Sequence, residues 1–463
     1  MINQMFFRKK SYFKNCNKIF YLPIEIYDRE FRSKLYLAYK ASLEGWTVVL
    51  GPKYDVDKLA EYLPRGVYLG IGFHKNSAKI SEILKRKKHI IFLQDEEGLV
   101  RLKNIFYKQY RVSSNIIKFS DYILCWGKNH KNVMRSALNK YTNIKSIGNS
   151  RIDILQSFTK NFFSKNIKDI KNKHGDFVLI NGNFGSANHA MGHEYLLNEL
   201  ESRGWLNNPM KKEYQLKRIG FQKKILNKML DMSIAIAKTG TKVIVRPHPS
   251  ENIEFWKKYT KNFKNIKIIR SGNVIDWMVS AKLIIHNGCT TAVEGLLLGK
   301  TIISYRPHKD AKVESLLPNA ISNCLKTEKD VITFIKNFKV NKNKKNKLSQ
   351  VKKKYIDNHI QNFKSGKDAS DKIIDIMNKF SFKKETSQFD LIKGNIILEM
   401  NLFKLKLARK FYKNNFLYLK SKCPKMDLKN VNEILNSLQN RKTGGKKFKT
   451  FKLTNYSIVI DKA

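Results

Sequence analysis

The sequence predicts an α/β fold with two parallel-sheet domains. Short apolar runs, such as 18–22 (KIFYL) and 177–180 (FVLI), alternate with segments of helical length. Strands that alternate with helices in this way form βαβ units and a parallel sheet. The chain has 463 residues, enough for two or three domains that each bury a core. A Lys- and Asn-rich stretch at 158–175 divides the alternation, and we expect it to be a linker.

The first domain is expected over residues 1–157. Its predicted strands are 18–22, 46–50, 67–71, 89–93, 122–126 and 144–147. A helix follows the first strand, with Asp28 as its N-cap and Gly45 as its stop. Further helices are expected at 77–87 and 127–138.

The second domain is expected over residues 176–380. Its predicted strands are 177–180, 243–245, 266–269, 283–285 and 301–304. Its helices are 213–238, 274–280, 291–298, 329–338 and 348–359, and a helix at 369–380 could cross back to the first domain. Gly295 should let helix 291–298 approach the sheet closely.

Residues 381–463 form a basic extension with a different pattern. Its segment 396–419 mixes apolar residues with lysine and arginine and is typical of an amphipathic helix. Such a helix could lie on an anionic membrane surface, or it could pack on the protein with a solvated basic face. Both interpretations stay open.

The net charge is extreme, at +52 from 90 Lys+Arg and 38 Asp+Glu. It suggests a polyanionic partner, although an AT-rich coding sequence would give the same lysine excess. No nucleic-acid-binding module is recognisable, so a nucleic-acid partner is not expected. The five cysteines are widely spaced without a CxxC pair, which fits a reducing cytosol. Without a signal peptide or an 18-residue apolar run, we expect a cytoplasmic protein, peripheral on the inner face of the membrane if the extension binds lipid.

The first candidate site segment is RPHPSE, at 246–251. Pro247 and Pro249 end a buried strand and hold His248 at the edge of the sheet. An imidazole there can donate to a phosphate oxygen or protonate a leaving group. Arg246 could add a phosphate contact or form a buried ion pair.

The second candidate segment is HNGCTTAVEGLLLGK, at 286–300. Asn287 and Gly288 allow a tight turn, and Thr290 and Thr291 stand where a helix begins. Free N–H groups and hydroxyls at a helix start form a phosphate site. Glu294, one turn further in, suits a contact to a sugar hydroxyl or a capping bond.

Two more segments follow predicted strands. NGNFGSAN, at 181–188, carries Asn181 and Asn183 and is a weak phosphate-loop signal. QDEEG, at 94–98, carries three acidic residues, which can supply a general base to a hydroxyl nucleophile. Crowded carboxylates should raise one another's pKa, although acidic residues are also favoured at an ordinary helix N-terminus.

These segments, together with LPIEIYDREF, GWTVVLG and IGNSRIDIL, resemble the GT-B glycosyltransferases over about residues 18–325. More narrowly, the chain is similar to the bacterial surface carbohydrate biosynthesis proteins. The resemblance implies a GT-B-like fold, in which two Rossmann-like domains face a cleft. Three pieces also resemble the motifs of sialyl- and Kdo-type transferases that use CMP-activated sugars: Glu96-Glu97-Gly98, His248-Pro249 and Thr290-Thr291.

That resemblance implies roles for individual residues. Glu97 or Glu96 would be the base that removes a proton from the acceptor hydroxyl. QDEEG has one acidic residue more than the motif needs, so the motif does not choose between them. His248 would meet the donor phosphate, with Thr290 and Thr291 beside it. Arg29 and Asp95 would lie on the acceptor side.

The implied reaction is transfer of a Kdo- or sialic-acid-like sugar from a CMP donor to a surface polysaccharide or lipopolysaccharide. The acceptor would be a glycan or a lipid-linked molecule. No DxD motif stands out, so no metal is expected, and no cofactor beyond the nucleotide-sugar. The alternatives are a UDP-sugar transferase or 2-epimerase-like enzyme, a glycerophosphate polymer transferase, and a non-catalytic polyanion- or glycan-binding protein.

Overall fold

The computed structural model describes residues 13, 16–101, 104–139, 141, 143–155, 164–340, 349–363, 366–382, 422–439 and 448–462. The described residues divide into two compact units. The first unit lies within Met1–Gly98, Arg111–Ile154 and Asp357–Ala463, and the second within Leu99–Tyr110 and Leu155–Ile356.

The strands and helices alternate along most of the chain. The strands are β1 (Ile19–Ile24), β2 (Thr47–Pro52), β3 (Val67–Ile71), β4 (Ile90–Gln94), β5 (Tyr122–Cys125), β6 (Ile144–Ser146), β7 (Val178–Asn181), β8 (Val243–Arg246), β9 (Ile266–Ile268), β10 (Leu283–His286), β11 (Thr301–Tyr305), β12 (Asn323–Leu325), β13 (Phe448–Lys452) and β14 (Ile458–Lys462). The helices are α1 (Tyr27–Leu43), α2 (Lys53–Tyr62), α3 (Lys75–Arg86), α4 (Asn104–Arg111), α5 (Ile116–Phe119), α6 (Lys128–Ala137), α7 (Ser150–Asp153), α8 (Ser164–His174), α9 (His193–Ser202), α10 (Pro209–Lys238), α11 (Ile253–Thr260), α12 (Val274–Ser280), α13 (Thr290–Leu297), α14 (Leu316–Ile321), α15 (Glu328–Val340), α16 (Gln350–His359), α17 (Ala369–Met377) and α18 (Leu428–Gln439).

The first unit is built on one sheet with strand order β13-β14-β2-β1-β3-β4-β5-β6. Strands β1 to β6 pair in parallel, whereas β14 is antiparallel to both β2 and β13. The strand order reverses beside β1, because β2 lies on one side of it and β3 on the other. A ligand site in an open α/β sheet lies beyond the carboxyl ends of the strands near such a reversal.

The second unit is built on a six-stranded sheet with order β12-β11-β10-β7-β8-β9, and every pair is parallel. Its first strand, β7, is central, and the order reverses between β7 and β10. This is the doubly wound order of Rossmann-like domains. The expected α/β fold class with two Rossmann-like parallel sheets is therefore confirmed.

The units differ from the expected domain boundaries in three places. Helix α8 occupies part of the expected linker and belongs to the second unit, while α17 belongs to the first. The expected extension, 381–463, contributes β13 and β14 to the first sheet, where Val459 pairs with Val49. Burial of the apolar residues of β14 against this sheet explains the difference. The predicted amphipathic segment, 396–419, lies outside the described residues.

No helix in the described parts of the chain combines the length and the apolar character that crossing a membrane requires.

Candidate functional site

Three polar side chains end neighbouring strands of the second sheet and face the same side of it. Asn181 of β7 pairs in register with Arg246 of β8 and His286 of β10. The preceding residue of each strand packs in the core on the opposite face, beneath α10: Ile180, Val245 and Ile285. Since side chains alternate across a strand, the polar three share the other face. They lie where the strand order reverses and are 3%, 8% and 0% exposed.

Helix α13 covers this polar face. A Cβ added at Gly295 would lie 2.6 Å from Cδ1 of Ile302 and 2.8 Å from Cδ1 of Ile284. Ile284 is two residues before His286 and shares its face. Gly295 therefore lets the helix approach the sheet closely, as the sequence predicted, and α13 begins just beyond the carboxyl end of β10.

A turn held by His286 leads into α13. His286 Nδ1 accepts a hydrogen bond from Gly288 N at 2.8 Å, and its Nε2 lies 2.8 Å from Ser322 Oγ. Burial lowers the pKa of His286 to about 3, so the ring is neutral. Gly288 has φ +97°, which supports the expected tight turn. The sequence analysis did not single out His286, although a histidine at the end of an apolar strand could have identified it as a site residue.

The threonine pair stands at the start of α13. Thr290 and Thr291 are partly exposed, and Thr291 Oγ1 lies 2.7 Å from Cys289 Sγ. Burial raises the pKa of the Cys289 thiol, which therefore stays neutral. Glu294 is 3% exposed, and its sugar contact stays a prediction, as do the contacts of the partly exposed Asn287.

His248 has a defined ring tautomer. Its Nδ1 accepts from Ser250 N at 3.2 Å and lies 2.7 Å from Ser250 Oγ. A backbone N–H can only donate, so the hydrogen-bond network assigns the proton of the neutral ring to Nε2. The half-buried ring therefore keeps Nε2–H as its donor, and its contact with a phosphate stays a prediction.

Glu251 joins the RPHPSE turn to the NGNFGSAN loop. Its Oε1 accepts from Phe184 N at 3.0 Å and from His248 N at 2.8 Å, and its Oε2 accepts from Trp256 Nε1 at 3.0 Å. Burial raises the pKa of this carboxyl group. A Cβ on Gly182 would lie 2.7 Å from Glu251 Oε1, so this loop glycine serves close packing. Asn183, in the same loop, is partly exposed.

Arg246 is held by the loop after β9. It donates to the carbonyl oxygens of Ser271 and Gly272, each at 2.7 Å, and of Arg270 at 3.1 Å. Its guanidinium also lies 5.3 Å from the ring centroid of Trp277. Three backbone carbonyl oxygens thus orient this side chain, and its contact with a phosphate stays a prediction.

In the first unit, Asp95 anchors the turn after β4. Arg111 Nε and Nη2 donate to its two carboxylate oxygens at 3.0 and 2.9 Å, and Glu97 N donates to Oδ1 at 3.0 Å. Asp95 is 1% exposed. This burial suits a positioning residue better than the expected contact with an acceptor.

Glu96 is part of a buried ion pair. Lys34 Nζ lies 2.8 Å from its Oε1, and the two side chains are 2% and 1% exposed. Asn149 Nδ2 donates to Oε2 at 3.3 Å. Burial acts to raise the pKa of Glu96, but Lys34 and Arg151 outweigh it and the pKa is lowered.

Glu97 is the accessible member of the acidic cluster, with a side chain that is 49% exposed. Arg29 Nη1 lies 3.3 Å from Oε1 and Arg111 Nη1 lies 2.8 Å from Oε2. Desolvation acts to raise its pKa, but Arg111 and Arg29 outweigh it and the pKa is lowered. The expected mutual raising of pKa is therefore wrong for Glu96 and Glu97, because each is paired with cations.

The sequence matches no protein-family model and no curated protein. Among solved structures, the chain is similar to the wall teichoic acid polymerase TagF, at 10% identity and a TM-score of 0.49, covering 82% of this chain and 95% of that one. It is also similar to the UDP-GlcNAc 2-epimerase from Methanocaldococcus jannaschii, at 14% identity and a TM-score of 0.48, covering 78% and 99%. A third is Anabaena HepE in complex with UDP and glucose, at 10% identity and a TM-score of 0.43, covering 79% and 100%. Likeness at this level assigns no reaction to this chain.

Proposed function

We propose that the chain is a GT-B-type glycosyltransferase, which moves a sugar from a nucleotide-sugar to a hydroxyl of a surface glycan or lipid-linked acceptor. One observation carries the proposal. Three site segments, NGNFGSAN, RPHPSE and HNGCTT, follow β7, β8 and β10, which are neighbours at the reversal of the second sheet. In open α/β sheets this is the place where nucleotides bind.

The donor phosphate would be held by complementary groups of the second unit. His248 offers an Nε2–H in its assigned tautomer. Thr290 and Thr291 offer hydroxyls and the amide groups of a helix start, where an anion is favoured. Donors aimed at a departing phosphate stabilise the charge that develops in the transition state.

Glu97 is the better candidate for the base on the acceptor hydroxyl. It is half-exposed, whereas Glu96 is buried against Lys34. Its lowered pKa keeps it ionised at neutral pH, as a proton acceptor must be. Arg29 and Asp95, proposed from the sequence as acceptor-side residues, would act by positioning Glu97: Arg29 through its ion pair, and Asp95 through Arg111 and the Glu97 N–H.

For the donor we keep a CMP-activated, Kdo- or sialic-acid-like sugar as the finer proposal, on the resemblance of its three motifs. A UDP donor and a CDP-linked glycerophosphate donor are the rivals. A peripheral location at an anionic membrane, through the basic extension, is also part of the proposal.

A thermal-shift panel with CMP, UDP and CDP tests the proposal. We expect one nucleotide to raise the unfolding temperature of the wild type, and to raise that of His248→Ala by a smaller amount. His308→Ala is a matched control, because His308 also follows Arg-Pro but is exposed beyond β11. CMP alone would favour the leading donor, UDP the transferase or epimerase rival, and CDP the glycerophosphate rival. If none of the three nucleotides raises the unfolding temperature, the result would favour the alternative of a non-catalytic polyanion-binding protein.

A further inference from the structure

Asn181 is the last residue of the central strand of the second sheet, and its side-chain amide is buried. It is 3% exposed, and neither its Oδ1 nor its Nδ2 has a hydrogen-bond partner among the described residues. Buried polar groups in folded proteins are almost always hydrogen-bonded, since leaving one unpaired costs free energy. An unpaired amide at a predicted ligand site therefore calls for an explanation.

The neighbours of Asn181 on the same face are already engaged. His286 uses its two ring nitrogens on Gly288 and Ser322, and Arg246 donates to carbonyl oxygens of the 270–272 loop. The amide thus lies between two oriented side chains, at the reversal of the strand order.

The chemistry of the amide limits what can complete it. Nδ2 is a donor and Oδ1 is an acceptor, so a bound group that pairs with both atoms must accept one hydrogen bond and donate another. An ionised phosphate oxygen only accepts, and it would leave Oδ1 unpaired. A hydroxyl group can do both, as can an amide.

We propose that Asn181 binds a hydroxyl-bearing group of the donor, rather than its phosphate, and thereby selects a sugar-containing ligand. This inference rests on the proposed function and changes the role of Asn181, which the sequence suggested as a nucleotide or phosphate contact. The hydroxyl can belong to the ribose or to the transferred sugar, and both offer the same chemistry.

Asn181→Ala gives the first measurement, made without ligand. Since the substitution removes an unpaired buried amide, we expect the unfolding temperature of the apo protein to stay the same or rise. Asn265→Ala is the matched control in the same unit, because Asn265 Nδ2 donates to Ala237 O at 2.7 Å and to Thr241 O at 3.0 Å. That control should lower the unfolding temperature without changing nucleotide affinity. A clear fall in Asn181→Ala would mean that the amide has structural partners and would overturn the inference.

Binding affinities give the second measurement. The probes are inorganic pyrophosphate, whichever of CMP, UDP and CDP binds the wild type, its 2′- and 3′-deoxy forms, and its sugar conjugate. We expect Asn181→Ala to weaken binding of a hydroxyl-bearing probe roughly ten- to hundredfold and to leave pyrophosphate unchanged. If the ribose is bound, the nucleotide itself loses affinity and one deoxy form is weak on the wild type. If the donor sugar is bound, only the conjugate loses affinity.

The outcomes separate the two proposals. Equal affinities for wild type and Asn181→Ala, or an equal loss for pyrophosphate and nucleotide, would overturn the role of Asn181 while the nucleotide site stands. A wild type that binds no nucleotide would overturn both.

Discussion

The buried pair between Lys34 and Glu96 offers the sharpest test of the first unit. Lys34→Met removes the cation and leaves a carboxylate that is 1% exposed. Losing one partner of a buried pair costs about 3–5 kcal/mol, because the other charge stays buried without compensation. Asn149 still donates to Glu96 at 3.3 Å and Arg151 still lies nearby, so we expect a loss of about 3 kcal/mol, at the lower end of that range.

The double variant Lys34→Met/Glu96→Gln should recover most of this loss, because neutral replacement of a whole buried pair is often tolerated. Urea unfolding of the wild type, both single variants and the double variant gives the coupling energy. Lys257 and Glu254 are a matched control, also 2.8 Å apart but 52% and 68% exposed. Their coupling should stay below about 1 kcal/mol.

The coupling should also depend on pH with a defined sign. Because the pKa of Glu96 is lowered from its ordinary 4.5, its contribution to stability is present above that pH. It is lost as the pH falls through the lowered value. A coupling energy at neutral pH no larger than that of the exposed pair would refute the reasoning.

Further predictions concern catalysis and packing. In steady-state kinetics, His248→Ala and Glu97→Ala should each lower the transfer rate far more than donor affinity. Wild-type rates in both alanine variants would contradict the assignment. Lys34→Met/Glu96→Gln should retain turnover if Glu97 is the base. Turnover should survive EDTA, and abolished activity would contradict metal independence. Gly295→Val should cost about 1–3 kcal/mol in urea unfolding, because its side chain would overlap Ile302 and Ile284. Asp153→Ala should cost about 1–2 kcal/mol, because Asp153 accepts from the first N–H groups of α17, each at 2.9 Å; an unchanged midpoint would contradict this capping role.

Local patterns predicted the fold well. All eleven strands expected from apolar runs are present, and no end shifts by more than two residues. Strand β12 was missed because its three residues are only partly buried or exposed and carry no apolar run. Strand β14 was missed because its place beside β2 depends on a pairing between residues about 400 positions apart.

The candidate site was predicted less completely. RPHPSE and HNGCTT could be identified because proline, glycine and threonine act on their own backbone. Glu96 could not be separated from Glu97, because the difference lies in Lys34, which is on α1, about 60 residues earlier in the chain. The carbonyl oxygens that orient Arg246 could not be predicted, because they lie 24–26 residues further along the chain.

The sequence by itself determined where strands end and which polar residues follow them, because hydrophobic periodicity and turn chemistry act over a few neighbouring residues. Only the tertiary structure decided the strand order, the burial of Glu96, the bridging by Glu251 and the unpaired amide of Asn181. Burial and hydrogen bonding depend on residues far apart in the chain, and the free energy of a charged or polar group is set by those surroundings.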